Sequence, residues 1–193
     1  MKTAGIACCF GMLSLFVLSQ TQELGKNVYY NDEGKINIAV DASVAILDLE
    51  KPYVPFVLFM GTDPETRAVV HRGGVSLLYK ENEHTMAGIQ EFRKNYRGES
   101  RDLKLYAQFG KSNVITPKMQ HLRLQSLYDF FPQRAESSRL VDEMEISSLV
   151  GFATWAYFTN PGFEAGDTVV IKVVDKNDPD VWGSVSFELG GER

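Results

Sequence analysis

The chain of 193 residues holds only two cysteines, Cys8 and Cys9, and both lie near its start. Everything downstream is free of thiols. No disulfide can brace that part, so its stability must come from a buried apolar core. Histidine is scarce as well: His71, His84 and His121 are the three present. They form no H-x-H or H-E-x-x-H pair of the kind that brings two imidazoles onto one zinc ion. No G-x-S-x-G elbow presents an activated serine. Gly110-Lys111-Ser112 lacks the upstream glycine of a phosphate loop, whose place Leu105 takes. No N-x-[ST] sequon occurs. These gaps leave the chain without the landmarks of nucleophilic catalysis or a zinc site, and no cofactor, metal ligand or catalytic residue is assigned.

What the chain does have begins with MKTAGIACCFGMLSLFVLSQTQ. Lys2 precedes an apolar run from Ala4 to Leu18, and polar residues start abruptly at Ser19. The run is shorter than the roughly 20 apolar residues that span a bilayer. A short basic start, an apolar centre and the small-residue site Val17-Leu18-Ser19 describe a signal peptide over 1–19, cleaved before Gln20. Cys8 and Cys9 lie too early in that run to serve as lipid-attachment sites. The expectation is an exported protein, periplasmic or extracellular, with no transmembrane span after cleavage. The absence of disulfides and sequons fits a bacterial envelope or secreted milieu.

Lys and Arg number 20 against 25 Asp and Glu, a net charge of −5, and loss of Lys2 makes it more negative. Such a surface disfavours nucleic acid. The local basic cluster Arg93, Lys94, Arg97, Arg101 and Lys104 is interleaved with Glu91, Glu99 and Asp102, which reads as a solvated mixed face.

Residues 20–35 read as a polar lead-in closed by the turn Asn31-Asp-Glu-Gly34. A single domain then occupies 36–189, followed by a tail over 190–193. Ile36, Ile38, Val40, Val44 and Ile46 share one parity, the period of a half-buried strand. YVPFVLFMG, 53–61, is apolar throughout and suits a strand covered on both faces, with Pro55 pushing it towards an edge or a bulge. RAVVHR and VSLLYK flank Gly73-Gly74 and predict a hairpin. Near 88–110 the rhythm changes. Ile89, Phe92 and Tyr96, then Leu103, Tyr106 and Phe109, stand at helical spacing, with Ser100 available as a cap and Gly98 and Gly110 as stops. The alternation of Leu103, Leu105, Ala107 and Phe109 fits a strand equally well, and helix is the reading taken.

Alternation resumes at His121–Phe131, breaks over the polar loop Pro132–Ser138, and returns at Glu143–Ile146. GFATWAYFTN, 151–160, crosses the core and ends in the turn Asn160-Pro161-Gly162. TVVIKVVD and VWGSVSFEL close the chain. Short strands separated by turns predict a mainly β antiparallel sandwich with a helical insertion near 88–110. An outer-membrane barrel also needs export and alternation, but its interior is polar, at odds with the runs apolar on both faces. The closing GFEAGDTVVIKVVDKNDPDVWGSVSFEL, 162–189, resembles the terminal hairpins of bacterial immunoglobulin-like modules, which implies an immunoglobulin-like sandwich.

Two stretches invite chemistry. Asp175-Lys-Asn-Asp-Pro-Asp180 begins like a calcium loop, but it lacks the glycine and the final carboxylate of an EF-hand. Asn, Asp and Pro at that density make a turn. Trp155 and Tyr157 share a parity on 151–160, and Trp182 lies on the closing hairpin. Exposed, these three would stack on a glycan or dock a protein. Covered, Trp155 and Tyr157 would pack against the helical insertion while Phe152, Ala156 and Phe158 pack the opposite layer. The function expected is a non-enzymatic binding or structural module. The alternative is a secreted hydrolase with an acidic or metal-assisted site drawing on Glu81, Glu83, His84 and the acidic turn.

Overall fold

The computed structural model describes residues 21–125, 128–129, 139–140 and 142–190. The leader, the loop 132–138 and the tail beyond 190 lie outside the described residues. The protein is mainly β, built from two sheets with a few short helices. The described residues contain no cysteine, and no disulfide joins them.

The first sheet runs in the order β1-β2-β3-β4-β11-β7. Its strands are β1 (Gln22–Gly25), β2 (Val28–Asn31), β3 (Ile36–Asp41), β4 (Tyr53–Thr62), β7 (Arg123–Gln125) and β11 (Val150–Thr159). Neighbours are antiparallel except β7, which lies parallel to β11. The second sheet runs β10-β5-β12-β13, from β5 (Arg67–Tyr79), β10 (Glu143–Ser147), β12 (Thr168–Asp175) and β13 (Trp182–Glu188), and β6 (Asn82–Thr85) also pairs with β5. A small parallel pair joins β8 (Tyr128–Asp129) to β9 (Arg139–Leu140). The insertion supplies α1 (Ile89–Asn95), α2 (Glu99–Phe109) and α3 (Ser112–Ile115).

The sandwich-like interior is apolar. Phe56 on β4 meets Phe158 on β11 and, across the core, Phe187 on β13 at centroid distances of 6.1 and 5.8 Å. The sheets come closest where β13 crosses β3. A Cβ on Gly183 would lie 2.0 Å from the Ile36 carbonyl oxygen, so only glycine fits there. Alternation does what period two requires on β12, whose odd positions from Val169 to Asp175 are buried. β4 departs from it, being buried at all ten positions. One parity faces the core, and the other lies beneath the helices, where Tyr53 packs against Phe92 and Tyr96.

Four expectations give way. The segment read as a polar lead-in contributes β1 and β2, which extend the first sheet. β1 is mostly polar and joins through backbone pairing, whereas β2 buries Val28 and Tyr30 in the core, an apolar pair too short to show an alternation. The strand begun at Ile36 stops at Asp41, whose carboxylate accepts the Ser43 N–H at 2.9 Å, and a 3₁₀ turn follows over Ala45–Leu47. Pro55 sits on an interior strand, between β3 and β11. Its partner Tyr157 directs its carbonyl outward to Ala87 N at 2.9 Å, so the pair exchanges no ladder bonds, and β3 has already ended opposite Val57. Gly73-Gly74 makes no hairpin. β5 continues through it as a bulge, with Val75 opposite Val173 but Val70 opposite Asp175. A Cβ on Gly74 would approach the Val174 carbonyl oxygen to 2.7 Å.

The helical expectation holds for α1 and α2, with a shifted start. α2 begins at Glu99 after Gly98, so Ser100 lies inside it and caps nothing.

Candidate functional site

Among the described residues three carboxylates are buried, and each fastens one piece of chain to another. Asp41, 1% exposed, accepts from Ser43 N and, at 2.6 Å, from Lys111 N ahead of α3. Asp175 answers the question raised by the acidic turn. One oxygen accepts Asn177 N and Asp178 N at 2.7 and 2.8 Å, and the other accepts Val69 N from the bulged strand. Asp178 in turn accepts Asp180 N at 3.0 Å. These are turn-forming bonds, and the donors are backbone amides of the chain itself.

Asp102 is the third. It was read as part of a solvated face, but it is fully buried on α2. Lys51 Nζ stands 3.0 Å from one oxygen, and the Tyr96 hydroxyl donates to the other at 2.6 Å with the Tyr157 hydroxyl 3.4 Å away. Burial first, and Asp102 second, push the Tyr96 hydroxyl well above its ordinary range. The same causes push Tyr157 the same way. Glu91 is exposed, as expected of the mixed face, and it also accepts the Tyr53 hydroxyl at 3.1 Å. Position Asp102 is one helical turn before Tyr106, which is partly buried against the core. That spacing is the one local sign that Asp102 points inward.

The aromatic candidates are separated by the fold. Trp155 and Tyr157 are 5% and 3% exposed, covered by the helices. Phe92 lies 4.4 Å from Tyr157 and Tyr106 lies 5.3 Å from Trp155, centroid to centroid. Trp182 is 41% exposed, but it stands on β13 in the other sheet. The three form no common surface. His71 on β5, His84 on β6 and His121 after α3 are likewise apart, and among the described residues no group of His, Cys, Asp and Glu is arranged to hold a metal ion. Glu81, Glu83 and His84 adjoin the Tyr79 end of β5, whereas Asp175 pairs near Val70 at its other end.

Among the described residues the fold forms open depressions, one of about 520 Å³ beside Thr21, Tyr30 and Glu33 and another, a cleft of about 620 Å³ at one end of the sandwich, which alone of these two joins aliphatic to acidic side chains. Its walls are the β3–β4 connection, through Leu47, Asp48, Leu49 and Glu50, and the β11–β12 connection, through Phe163, Glu164 and Ala165. Asn160 fixes both walls. Its side-chain amide donates to the Leu49 carbonyl and, at 2.8 Å, to the Lys51 carbonyl, while Oδ1 accepts Gly162 N and Phe163 N at 2.8 and 2.9 Å. Asp167 braces the second wall, accepting the Tyr79 hydroxyl at 2.6 Å and Glu164 N at 2.8 Å. That tyrosine bond, ahead of the Lys80 charge, lowers the carboxyl's pKa. Arg101 on α2 pairs with Asp48 at 3.1 Å. Leu47 is 46% exposed in this setting.

The sequence announces Asn160-Pro161-Gly162 as a turn. That the asparagine also reaches Leu49 and Lys51 is invisible locally, and so is the cleft. The chain matches no family model, no curated protein and no solved structure.

Proposed function

We propose that the protein is an exported, non-enzymatic binding module of the bacterial cell envelope or secreted milieu. On this reading its sandwich is of immunoglobulin-like type and it holds a protein or glycan partner at the cleft end. The observation that carries this is the division of labour among its polar groups. Asp41, Asp102 and Asp175 are spent on holding the chain together, while the cleft walls, fixed from beneath by Asn160 and Asp167, leave Leu47, Glu50 and Glu164 facing solvent. Walls set before binding lose little entropy when a partner arrives, which is the economy of a recognition surface. Thr21 Oγ accepts Ser186 N at 3.0 Å, so on this reading the second mature residue is tied to β13.

The test uses the full chain with its leader, expressed in a bacterium. Fractionation followed by intact mass should find the protein outside the cytoplasm, starting at Gln20. Purified mature protein should then co-sediment with isolated envelopes, and Leu47→Asp should release it without changing the melting temperature. Material retaining Met1 in the cytoplasm, or wild type that stays in the supernatant, overturns the proposal.

A further inference from the structure

The cleft has a definite chemical character. Leu47, Leu49 and Ala165 give it aliphatic surface, and Phe163 is 5% exposed, its ring already engaged edge-on by Tyr79 at 5.0 Å. A sugar ring stacks on an open aromatic face, and this cleft presents none. Its rim is acidic. Asp48 is neutralised by Arg101, but among the described residues no ion pair closes on Glu50 or Glu164, and both are exposed. On the second wall Lys80 pairs with Asp167 at 3.9 Å, and its charge also acts on Glu164, so Glu50 is the rim carboxylate with the least cationic company. Aliphatic wall surface beside the exposed carboxylates Glu50 and Glu164 is complementary to an apolar side chain flanked by cations.

We propose that the cleft receives a cationic, amphipathic peptide segment, with one apolar side chain against Leu47 and Leu49 and flanking lysine or arginine on Glu50 and Glu164. This rests on the binding-module reading and narrows its partner to a basic polypeptide. Arginine or lysine at those carboxylates sets register and approach, while the aliphatic contact supplies the desolvated centre that carries affinity.

The probe is a synthetic twelve-residue peptide alternating lysine and leucine, with two controls in which glutamate replaces lysine or serine replaces leucine. It is titrated into the isotope-labelled mature protein and followed by amide chemical shifts. Shifts should centre on 47–50 and 162–165, and both control peptides should bind at least about tenfold more weakly. Glu50→Lys/Glu164→Lys should lose about tenfold in affinity, whereas the charge-matched Glu33→Lys/Glu65→Lys, both exposed and distant from the cleft, should bind like wild type. Thermal melting of both double variants establishes that they are folded. Equal loss in the two variants overturns the proposal, because it shows attraction to net charge alone. So do shifts mapping elsewhere, equal binding of the glutamate peptide, or sedimentation showing that a second copy of the chain already fills the cleft. Envelope retention and this titration fail independently, since one reads location and the other needs only purified protein.

Discussion

The helical flank and the acidic turn both depend on a buried aspartate, and they satisfy it in opposite ways. At the turn, Asp175 is met by three neutral backbone amides, two of them from the residues that follow it. At the flank, Asp102 is met by a full charge from Lys51, a residue far away in sequence, and by tyrosine hydroxyls. The first arrangement is a local turn with one distant clasp to β5. The second is the electrostatic bolt between the insertion and the β3–β4 connection. The difference teaches that an acidic cluster in sequence can be inert architecture, while a single acid in a charged helix can be fully buried and held from three sides.

Breaking the bolt should have the largest effect. Asp102→Ala strands Lys51 beside two tyrosines, and the cost expected is about 3 kcal/mol of unfolding free energy, measured by urea denaturation. Replacing both partners, as in Lys51→Met/Asp102→Leu, should recover most of that loss, because a packed apolar pair carries no desolvation penalty. A double variant no better than the single one would mean that the tyrosine bonds, not the ion pair, hold the flank.

The turn should be more forgiving. Asp175→Ala removes three acceptor contacts, but the amides of Asn177 and Asp178 lie near solvent and can bond water, so only Val69 N is left in difficulty. A loss of about 2 kcal/mol is expected, with calcium producing no change in melting in either protein. A calcium-dependent rise in melting that Asp175→Ala abolishes would show the turn to be a cation site after all.

The subtlest contrast is in pH. Tyr96 and Tyr157 have folded-state pKa values raised above the ordinary tyrosine value of about 10, and the turn 176–181 contains no tyrosine. A group raised in this way contributes stability that is complete below its unfolded pKa and is lost as pH climbs towards the folded value. Denaturation midpoints should therefore fall above about pH 10, and the fall should be shallower in Tyr96→Phe, unchanged in Asp175→Ala.

The same contrast explains what could be read in advance. β12 and β13 were legible because alternation and turn residues are local properties, and the helices were legible from Ile89, Phe92 and Tyr96 at one spacing. The covering of Trp155 and Tyr157 was one of two readings that the parity of 151–160 allowed, and only the placement of α1 and α2 chose between them. The bulge at Gly73-Gly74 escaped because its cause lies on β12, where the Val174 carbonyl needs room. Asp102 escaped because its partner is Lys51, and the cleft escaped because Asn160 and Leu49 meet only after β4 and β11 have paired. Long-range register made each of these, and no window of sequence contains it.

The direction of β1 has a practical corollary. Gln22 lies opposite Tyr30 and Gly25 opposite Val28, so the strand runs up the sheet and delivers its last residue to the side where the β3–β4 connection begins. Its upstream end is accordingly the remote one. A dye, bead or carrier joined ahead of Thr21 would hold the molecule by its base, with the acidic mouth free to meet whatever passes.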